Sequence, residues 1–291
     1  MIDPVIFSFN IGTFTITLRW YGVLVMLGSL AGAWVAAKEM ERKGEDPNYL
    51  WDAIVILLPV GILGARLWYV ANATLGGNPY YMQNPGQILN IPQGGLHFYG
   101  GMVFGALALY WYAKKHQLDL WLLLDALAPA ALVGQAVARP ANFINQELYG
   151  QPTTLPWGIP IDANHRLPQY SDMNLFPDST RFHPSFAYEM IWNFLAAGLI
   201  FWWLRRHPEH DKPGTAFSAW LIMAGIGRFL LEAFRPDQPR IPGTETSITR
   251  VVAAFMALVG FIMLLVRYKI IRLPFAEKWE EKYRISPTPL A

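Results

Sequence analysis

The chain has 291 residues, of which 53% are hydrophobic and 14% aromatic, while only 15% are charged. Soluble domains average about 25% charged residues, so this composition favours an integral membrane protein. The absence of cysteine excludes disulfides, thiolate metal sites and a cysteine nucleophile. The net charge of +2 is spread along the chain, which argues against a nucleic-acid partner.

Seven stretches are apolar and long enough to cross a bilayer, since about 20 helical residues span the hydrocarbon. They lie near 20–37, 52–73, 95–113, 120–138, 186–204, 215–234 and 249–267. Residues 1–19 lack a basic start and a small-residue cleavage site, so the first stretch is expected to be an uncleaved anchor. The sequence therefore predicts an all-α integral membrane protein with about seven transmembrane helices.

The basic residues predict how these helices are oriented. Every lysine follows the first, third, fifth or seventh stretch, and alternating helices place those four segments on one side of the membrane. That side is expected to be the cytoplasm, with the N-terminus outside and the C-terminus inside. We expect one membrane domain over 1–273 and a charged cytoplasmic tail over 274–291.

The connection over 139–185, expected outside, is too long for a simple turn. Its prolines are Pro152, Pro156, Pro160, Pro168 and Pro177. The proline and aromatic content predicts a folded outer cap that contains short strands or a helix in the membrane plane.

The sixth stretch, 215–234, carries charges inside an apolar run. Arg228 and Glu232 are one helical turn apart and share a helix face, which Arg235 extends. A charge at the bilayer centre costs roughly 2.5–3.5 kcal/mol, so such residues pair with one another or contact a charged ligand. The pattern is consistent with a self-neutralising pair and with a face that binds an anion.

Two further arginines, Arg66 and Arg139, are expected near the outer ends of the second and fourth stretches. A planar, permanently charged guanidinium suits phosphate recognition, although Arg66 is equally consistent with snorkelling to the interface. Pro140 is expected to end the fourth stretch directly after Arg139, because proline disfavours a helical conformation in the residue before it.

A dense polar segment follows Arg139 and contains Asn142, Asn145 and Glu147. These side chains either satisfy exposed backbone groups or bind glycerol hydroxyls and phosphate oxygens. Such a run is more than a helix cap needs, which favours a binding site.

The stretch 94–101 opens the third predicted helix, and its paired glycines allow close backbone approach. His97 and Tyr99 alternate there with apolar residues. Either side chain is a candidate proton donor, acceptor or orienting group, and Tyr99 also fits an ordinary interfacial aromatic. Before the fifth stretch, His183 is expected to stabilise the cap, and Glu189 needs a partner, for which an arginine is the obvious candidate.

Together these segments resemble the prolipoprotein diacylglyceryl transferase family of bacteria. The resemblance runs from Asp3 to the seventh stretch and is carried by short motifs. These are Trp20-Tyr21-Gly22, Gly64-Ala65-Arg66, Gly94-Gly95 with Gly100-Gly101, Asp125-Ala126-Leu127-Ala128-Pro129, Arg139 to Glu147, His183-Pro184-Ser185 with Tyr188-Glu189, and Gly227-Arg228 with Glu232 and Arg235.

The resemblance implies transfer of a diacylglyceryl group from phosphatidylglycerol to the lipobox cysteine thiol of a prolipoprotein signal peptide. Glycerol 1-phosphate would be released, and the protein would lie in the bacterial cytoplasmic (inner) membrane. No cofactor or metal is expected.

Matching positions imply individual roles. Arg139 and Arg228 would be the essential cations on the leaving phosphate, with Tyr21 as a further catalytic candidate. Arg235 would gate or neutralise the outer mouth of the site. The residues expected to bind substrate are Asn142, Asn145, Glu147, Gly150, Glu232, Arg235 and Arg66.

The chain departs from the family pattern at the expected base. The family usually has His-Gly-Gly where this chain has Tyr99-Gly100-Gly101, and a tyrosine is a poorer base than a histidine near neutral pH. His97 lies two positions earlier, and on a regular helix it would point about 160° away from Tyr99. Both residues are kept as catalytic candidates.

Two alternatives to the transferase stay open at this point. One is a membrane protein that binds or transports an anionic lipid, although the chain shows no internal repeat of the kind many transporters have. The other is a family member whose activity is lost or altered.

Overall fold

The computed structural model describes residues 2–12, 14–91, 94–236, 238–244, 246–274, 276–277 and 279–286. Phe275, Lys278 and residues 287–291 of the predicted tail lie outside the described residues. The chain divides into two compact units. The first contains the chain up to Ala36 and Leu124–Tyr283, and the second contains Ala37–Leu123 and the chain from Arg284 onward.

Helices dominate the described residues. In chain order they are α1 (Trp20–Arg42), α2 (Asn48–Leu75), α3 (Tyr80–Gln83), α4 (Phe98–Lys115), α5 (Leu120–Ala138), α6 (Pro140–Ile144), α7 (Ser185–Arg206), α8 (Thr215–Leu231) and α9 (Ile248–Arg267). Short 3₁₀ turns include Pro85–Gln87, Ala163–His165, Pro168–Tyr170, Pro208–His210 and Glu232–Phe234.

Within the described part of the chain, six helices are long and apolar enough to cross a membrane: α1, α2, α5 continued by α6, α7, α8 with its 3₁₀ turn, and α9. This confirms a mostly helical, multi-pass membrane protein. The third predicted stretch forms α4, whose 18 residues include Lys114 and Lys115 in the last turn and are therefore less apolar. The seventh crossing and the orientation stay predictions.

An antiparallel hairpin precedes α1, and the sequence reading missed it. Its strands are β1 (Val5–Ile11) and β2 (Phe14–Arg19), with Gly12 at a positive φ of 62° in the turn. Phe7 and Phe9 alternate with polar residues in β1, the period-two pattern of a strand with one apolar face. This pattern is easily overlooked, because the run is short and directly precedes a long apolar helix.

The connection 139–185 folds around a small antiparallel sheet, in agreement with the prediction of short strands. Its strands are β3 (Pro152–Thr153), β4 (Ile159–Pro160) and β5 (Arg181–Phe182), with β5 in the middle. Buried Tyr149, Ile161 and Phe182 form its core. We call this segment the cap, and its position outside the membrane stays a prediction.

Helix α8 is held by small residues on two sides. A Cβ on Gly225 would lie 2.6 Å from the carbonyl oxygen of Ala253 in α9, and a Cβ on Gly227 would lie 2.1 Å from Nε1 of Trp192 in α7. Gly260 of α9 approaches the Ser218 carbonyl in the same way, at 2.6 Å. These close approaches fix the rotation and depth of the helix that carries Arg228.

The buried carboxylate of Asp125, in α5, holds the start of α8. It accepts hydrogen bonds from the backbone N–H groups of Gly214, at 2.5 Å, and Phe217, at 2.6 Å. The tail hydroxyl of Tyr283 donates to it at 2.9 Å. Burial, together with Asp125 and Asp211, raises the pKa of Tyr283, so the hydroxyl stays a donor.

Candidate active site

Arg139 lies between α5 and α6 in a run that stays helical. The expectation that Pro140 ends the span is wrong, because Arg139 keeps helical angles (φ −58°, ψ −32°) and α6 continues to Ile144. Proline removes one N–H donor, but at the first position of a new turn that donor is not needed. The Arg139 side chain therefore projects from within a continuous span, Leu120–Ile144.

The Arg139 guanidinium pairs with Glu189 of α7 through a short Nη2–Oε1 contact. Nη1 donates to the Asn142 side-chain oxygen at 3.1 Å. Nε is buried and has no hydrogen-bond partner among the described residues. The predicted arginine partner of Glu189 is thus Arg139, which is both anchored and incompletely satisfied.

The polar segment after Arg139 forms one hydrogen-bonded network. Oε1 of Glu147 accepts from the side-chain amides of Asn142, at 2.9 Å, and Asn145, at 3.4 Å. The structure therefore brings three of the predicted substrate-binding residues together and connects them to Arg139 through Asn142. A carboxylate and two amides can together contact a polyol and a phosphate.

Two strained residues flank Glu147. Gln146 and Leu148 both have a φ of +54°, which costs a non-glycine residue of the order of 1 kcal/mol or more. The buried Gln146 amide compensates by bonding Asp162 of the cap: Nε2 donates to Oδ2 at 2.6 Å, and Oε1 accepts from the Asp162 N–H at 2.7 Å. Sequence reasoning missed this clamp, because Gln and Asp in a loop carry no distinctive signal.

Arg228 lies in the last turn of α8 with its predicted partner. Its Nε is 3.5 Å from Oε2 of Glu232, and its Nη2 donates to Gln238 Oε1 at 3.3 Å. Glu232 is 7% exposed, and its carboxylate oxygens make no hydrogen bond among the described residues. The pair is therefore real, but it is an electrostatic contact with little directional bonding.

The charged groups around Arg228 form one cluster. Its guanidinium interacts electrostatically with Arg235, Glu232, Glu189 and Arg139. The two predicted essential cations thus belong to the same charged region, together with the two carboxylates that pair with them. Removing water from such a region strengthens every charge interaction in it.

Gly150 has a packing role at the edge of this region. A Cβ there would lie 2.6 Å from Ser185 Oγ and 2.7 Å from the Phe234 carbonyl oxygen. Its N–H donates to the His183 carbonyl at 2.7 Å. Only glycine allows the cap, the start of α7 and the end of α8 to approach this closely, which accounts for a glycine at this position without direct substrate contact.

The His183 ring contacts a side chain of α7, and its expected role in stabilising the cap stays a prediction. Its Nδ1 lies 3.0 Å from the Tyr188 hydroxyl, which also accepts a hydrogen bond from Trp157 Nε1 at 2.7 Å. Desolvation lowers the pKa of His183, so its imidazole is neutral at pH 7. Tyr21, in the first turn of α1, is 43% exposed.

Arg66 lies in the second unit and is 2% exposed. It donates from Nε to the Ile88 carbonyl, at 2.8 Å, from Nη2 to the Gln87 carbonyl, at 2.6 Å, and from Nη1 to the Gly94 carbonyl, at 2.6 Å. It also stacks on Tyr69. Because all three nitrogens bind backbone carbonyls, the geometry favours a loop-shaping role for Arg66 over phosphate binding.

His97 and Tyr99 also lie in the second unit, and their rings are adjacent. The ring centroids are 5.4 Å apart, so the predicted divergence of about 160° does not occur. His97 is the extended N-cap residue of α4 and precedes the helix, whereas Tyr99 is in its first turn and 57% exposed. Nδ1 of His97 is buried without a hydrogen-bond partner in the described parts of the chain.

Known proteins are similar to this chain over most of its length. A family model described as prolipoprotein diacylglyceryl transferase matches residues 4–266. The phosphatidylglycerol–prolipoprotein diacylglyceryl transferase of Chloroflexus aggregans is 35% identical over 242 residues, which cover 81% of this chain and 78% of the relative. The protein of the same name from Bacillus mycoides is 36% identical over 250 residues, covering 86% and 88%.

Proposed function

Because this chain belongs to the prolipoprotein diacylglyceryl transferase family, we propose that it transfers the diacylglyceryl group of phosphatidylglycerol to a prolipoprotein. The acceptor is the lipobox cysteine thiol of the signal peptide, and the released product is glycerol 1-phosphate. This is the first step of bacterial lipoprotein maturation, and it takes place at the cytoplasmic (inner) membrane.

The reaction replaces the C–O bond at one glycerol carbon by a C–S bond. The cysteine sulfur, as thiolate, forms a C–S bond with the diacylglyceryl carbon that carries the phosphate, and the C–O bond to that phosphate breaks. The bond electrons leave on the phosphate oxygen, and the thiol proton passes to a base. Negative charge therefore moves from sulfur to phosphate, where preorganised cations lower the barrier most.

The charged cluster around Arg228 is the observation that carries this proposal. Arg139 and Arg228 supply two guanidinium groups, and Glu189 and Glu232 hold them in place. Paired guanidinium groups suit the transferred charge on a phosphate better than a point charge does. Arg139 and Arg228 therefore stabilise the leaving phosphate.

The network of Asn142, Asn145 and Glu147 orients the polar part of the lipid. Its amides donate to phosphate or hydroxyl oxygens, and the Glu147 carboxylate accepts from glycerol hydroxyls. Such positioning fixes the reacting carbon relative to the incoming sulfur. We assign Glu232 and Glu189 to holding the arginines rather than to acid catalysis.

The proton acceptor is assigned to the His97–Tyr99 pair. An imidazole accepts a proton near neutral pH far more readily than a phenol. The choice of His97 as the base rests on this chemistry. The Tyr99 ring lies against its imidazole and would orient it.

Reconstitution with labelled phosphatidylglycerol and a lipobox peptide tests the function. We expect thioether formation with stoichiometric release of glycerol 1-phosphate. Arg139→Ala should lower turnover by about 100-fold or more, since a preorganised donor to developing charge contributes that much. Lipid binding should persist in this variant.

Arg139→Ala also leaves the Glu189 carboxylate without its ion-pair partner, and this loss by itself destabilises the fold. The double variant Arg139→Gln with Glu189→Gln removes both charges together and serves as the control for folding. It should stay folded and inactive. Lipid binding without turnover in the unmodified protein would refute the transferase and favour a lipid-binding or inactive family member.

A further inference from the structure

A polar cavity of about 390 Å³ lies beside the charged cluster, within the same unit. Among the residues that line it are Arg235, Arg240, Arg250, Glu232, Gln151 and Gln238. We call it the arginine cavity. Gln238 connects it to the site, because its Oε1 accepts from Arg228 at 3.3 Å and from Thr249 at 3.0 Å.

Arg250 has the most unusual environment in the arginine cavity. Its guanidinium lies 5.0 Å from the Phe229 ring, a stacking contact, and forms no hydrogen bond or ion pair with the described residues. Nε is buried, so the terminal nitrogens are the donors that reach the cavity. A stacked guanidinium with open terminal donors is preorganised to bind an oxyanion.

The start of α9 adds to the attraction for an anion. Arg250 is in the first turn of this 20-residue helix, whose N-cap Ser247 accepts from the Arg250 N–H at 3.1 Å. A cation in the first turn is unfavourable, because the helix dipole is positive there. The same dipole favours an anion at this position, so the bound ligand would offset both positive charges.

The cavity suits a small, water-soluble anion rather than a lipid tail. Its lining is dominated by arginine and amide side chains, which an acyl chain would leave without hydrogen-bond partners. Amides and guanidinium groups together match the oxygens of a phosphate ester and its hydroxyls.

We propose that the arginine cavity binds the free phosphate ester of glycerol after it leaves Arg139 and Arg228, with Arg250 as its principal ligand. This inference rests on the proposed function for the identity of the ligand. The phosphate chemistry is shared with a lipid head group, so the test must separate the two sources. Occupancy of the cavity inhibits turnover, because the next phosphate cannot leave while the cavity is filled.

Calorimetric titration of the protein in zwitterionic nanodiscs measures binding without turnover, with inorganic phosphate and glycerol 1-phosphate as probes. We expect both to bind competitively, and Arg250→Gln to weaken binding about tenfold or more through loss of a charge-assisted hydrogen bond. In turnover assays the inhibition constant of glycerol 1-phosphate should rise by the same factor. Thermal unfolding establishes that each variant is folded.

The matched control is Arg181→Gln, which removes the same charge from an exposed strand of the cap that does not line the cavity. It should leave binding unchanged. Arg250→Lys keeps the charge but loses the planar fork, and an intermediate loss is expected, which covers the case that Arg250→Gln fails to fold.

Three outcomes overturn the inference. One is phosphate binding that is equal in Arg250→Gln and the unmodified protein. Another is equal weakening by Arg181→Gln, which would indicate nonspecific charge attraction. The third is a raised KM for phosphatidylglycerol in Arg250→Gln without a change in product inhibition, which would assign the cavity to the lipid head group. Phosphate binding in a protein without turnover would instead refute the proposed function alone.

Discussion

At the scale of single residues, the arginines fall into two kinds according to what their N–H groups bind. Arg66 and Arg166 donate from all three nitrogens to backbone carbonyls and shape loops. Arg139, Arg228 and Arg250 retain donors or rely on a loose ion pair. Contact with a leaving phosphate needs the second kind, because a guanidinium whose nitrogens all bind carbonyls has few donors left for a substrate.

Mutagenesis can distinguish between the two candidates for the proton acceptor, His97 and Tyr99. His97→Ala should lower turnover about 100-fold or more, since general-base catalysis contributes that much. Tyr99→Phe should keep most of the rate, and Tyr99→His should preserve or raise it. The measurement is kcat for thioether formation.

A turnover rate that survives His97→Ala would rule out His97 as the base. Complete loss in Tyr99→His would show that the local geometry depends on the tyrosine ring. Each variant should bind phosphatidylglycerol as the unmodified protein does, which serves as the control for folding.

At the scale of secondary-structure elements, α8 positions the site through glycine contacts at Gly225 and Gly227. A Cβ on Gly225 would meet backbone atoms, which cannot move aside: the Ala253 carbonyl oxygen at 2.6 Å and the Ala257 nitrogen at 2.7 Å. Since Arg228 is three residues further along the same helix, a separation of α8 from α9 displaces its guanidinium.

Gly225→Ala should destabilise the protein by about 1–3 kcal/mol, the usual cost of overpacking, despite the better helix propensity of alanine. Turnover should fall with stability, because Arg228 moves. Gly198→Ala in α7 is the matched control, since its Cβ would meet nothing within 4 Å. Thermal unfolding in nanodiscs gives the comparison, and equal effects of the two substitutions would contradict the assigned role of the α8–α9 contact.

At the scale of the whole molecule, the tail is more integrated than its charged composition suggested. Tyr283 bonds Asp125 in the first unit, whereas in the second unit the Arg284 N–H donates to Asp119 Oδ2 at 2.9 Å and Ser286 Oγ to Glu45 Oε1 at 2.6 Å. Hydrogen bonds and charges from Lys212 and Lys269 hold the pKa of Glu281 at about 2. Each unit thus retains its own part of the tail.

Tyr283→Phe should destabilise the protein by about 1–3 kcal/mol, because Asp125 loses a donor while its charge stays buried. The tail should also become sensitive to limited proteolysis at lower temperature. Tyr110→Phe, at a position that is 51% exposed, removes a hydroxyl of the same type as the control. Identical unfolding curves for Tyr283→Phe and the unmodified protein would show that the tail contributes no stability through this contact.

The sequence by itself determined the membrane class and singled out the charged residues of the candidate site. Apolar runs of about 20 residues define helices in a bilayer whatever they pack against. A guanidinium inside such a run needs a counter-charge. For this reason the sequence alone singles out Arg139, Arg228, Glu189 and Glu232. The dense segment Asn142–Glu147 was visible for the same reason, since its members are close in sequence.

Only the tertiary structure decided which partner each charge uses. Arg66 is saturated by carbonyls that lie 21 to 28 residues further along the chain, and backbone carbonyls leave no mark in a sequence. The bond between Gln146 and Asp162 and the open donors of Arg250 likewise depend on folded geometry. The hydrophobic effect is non-directional and depends on which residues are apolar, so the sequence alone indicates where it acts. Hydrogen bonds and ion pairs depend on distances that only the folded chain sets.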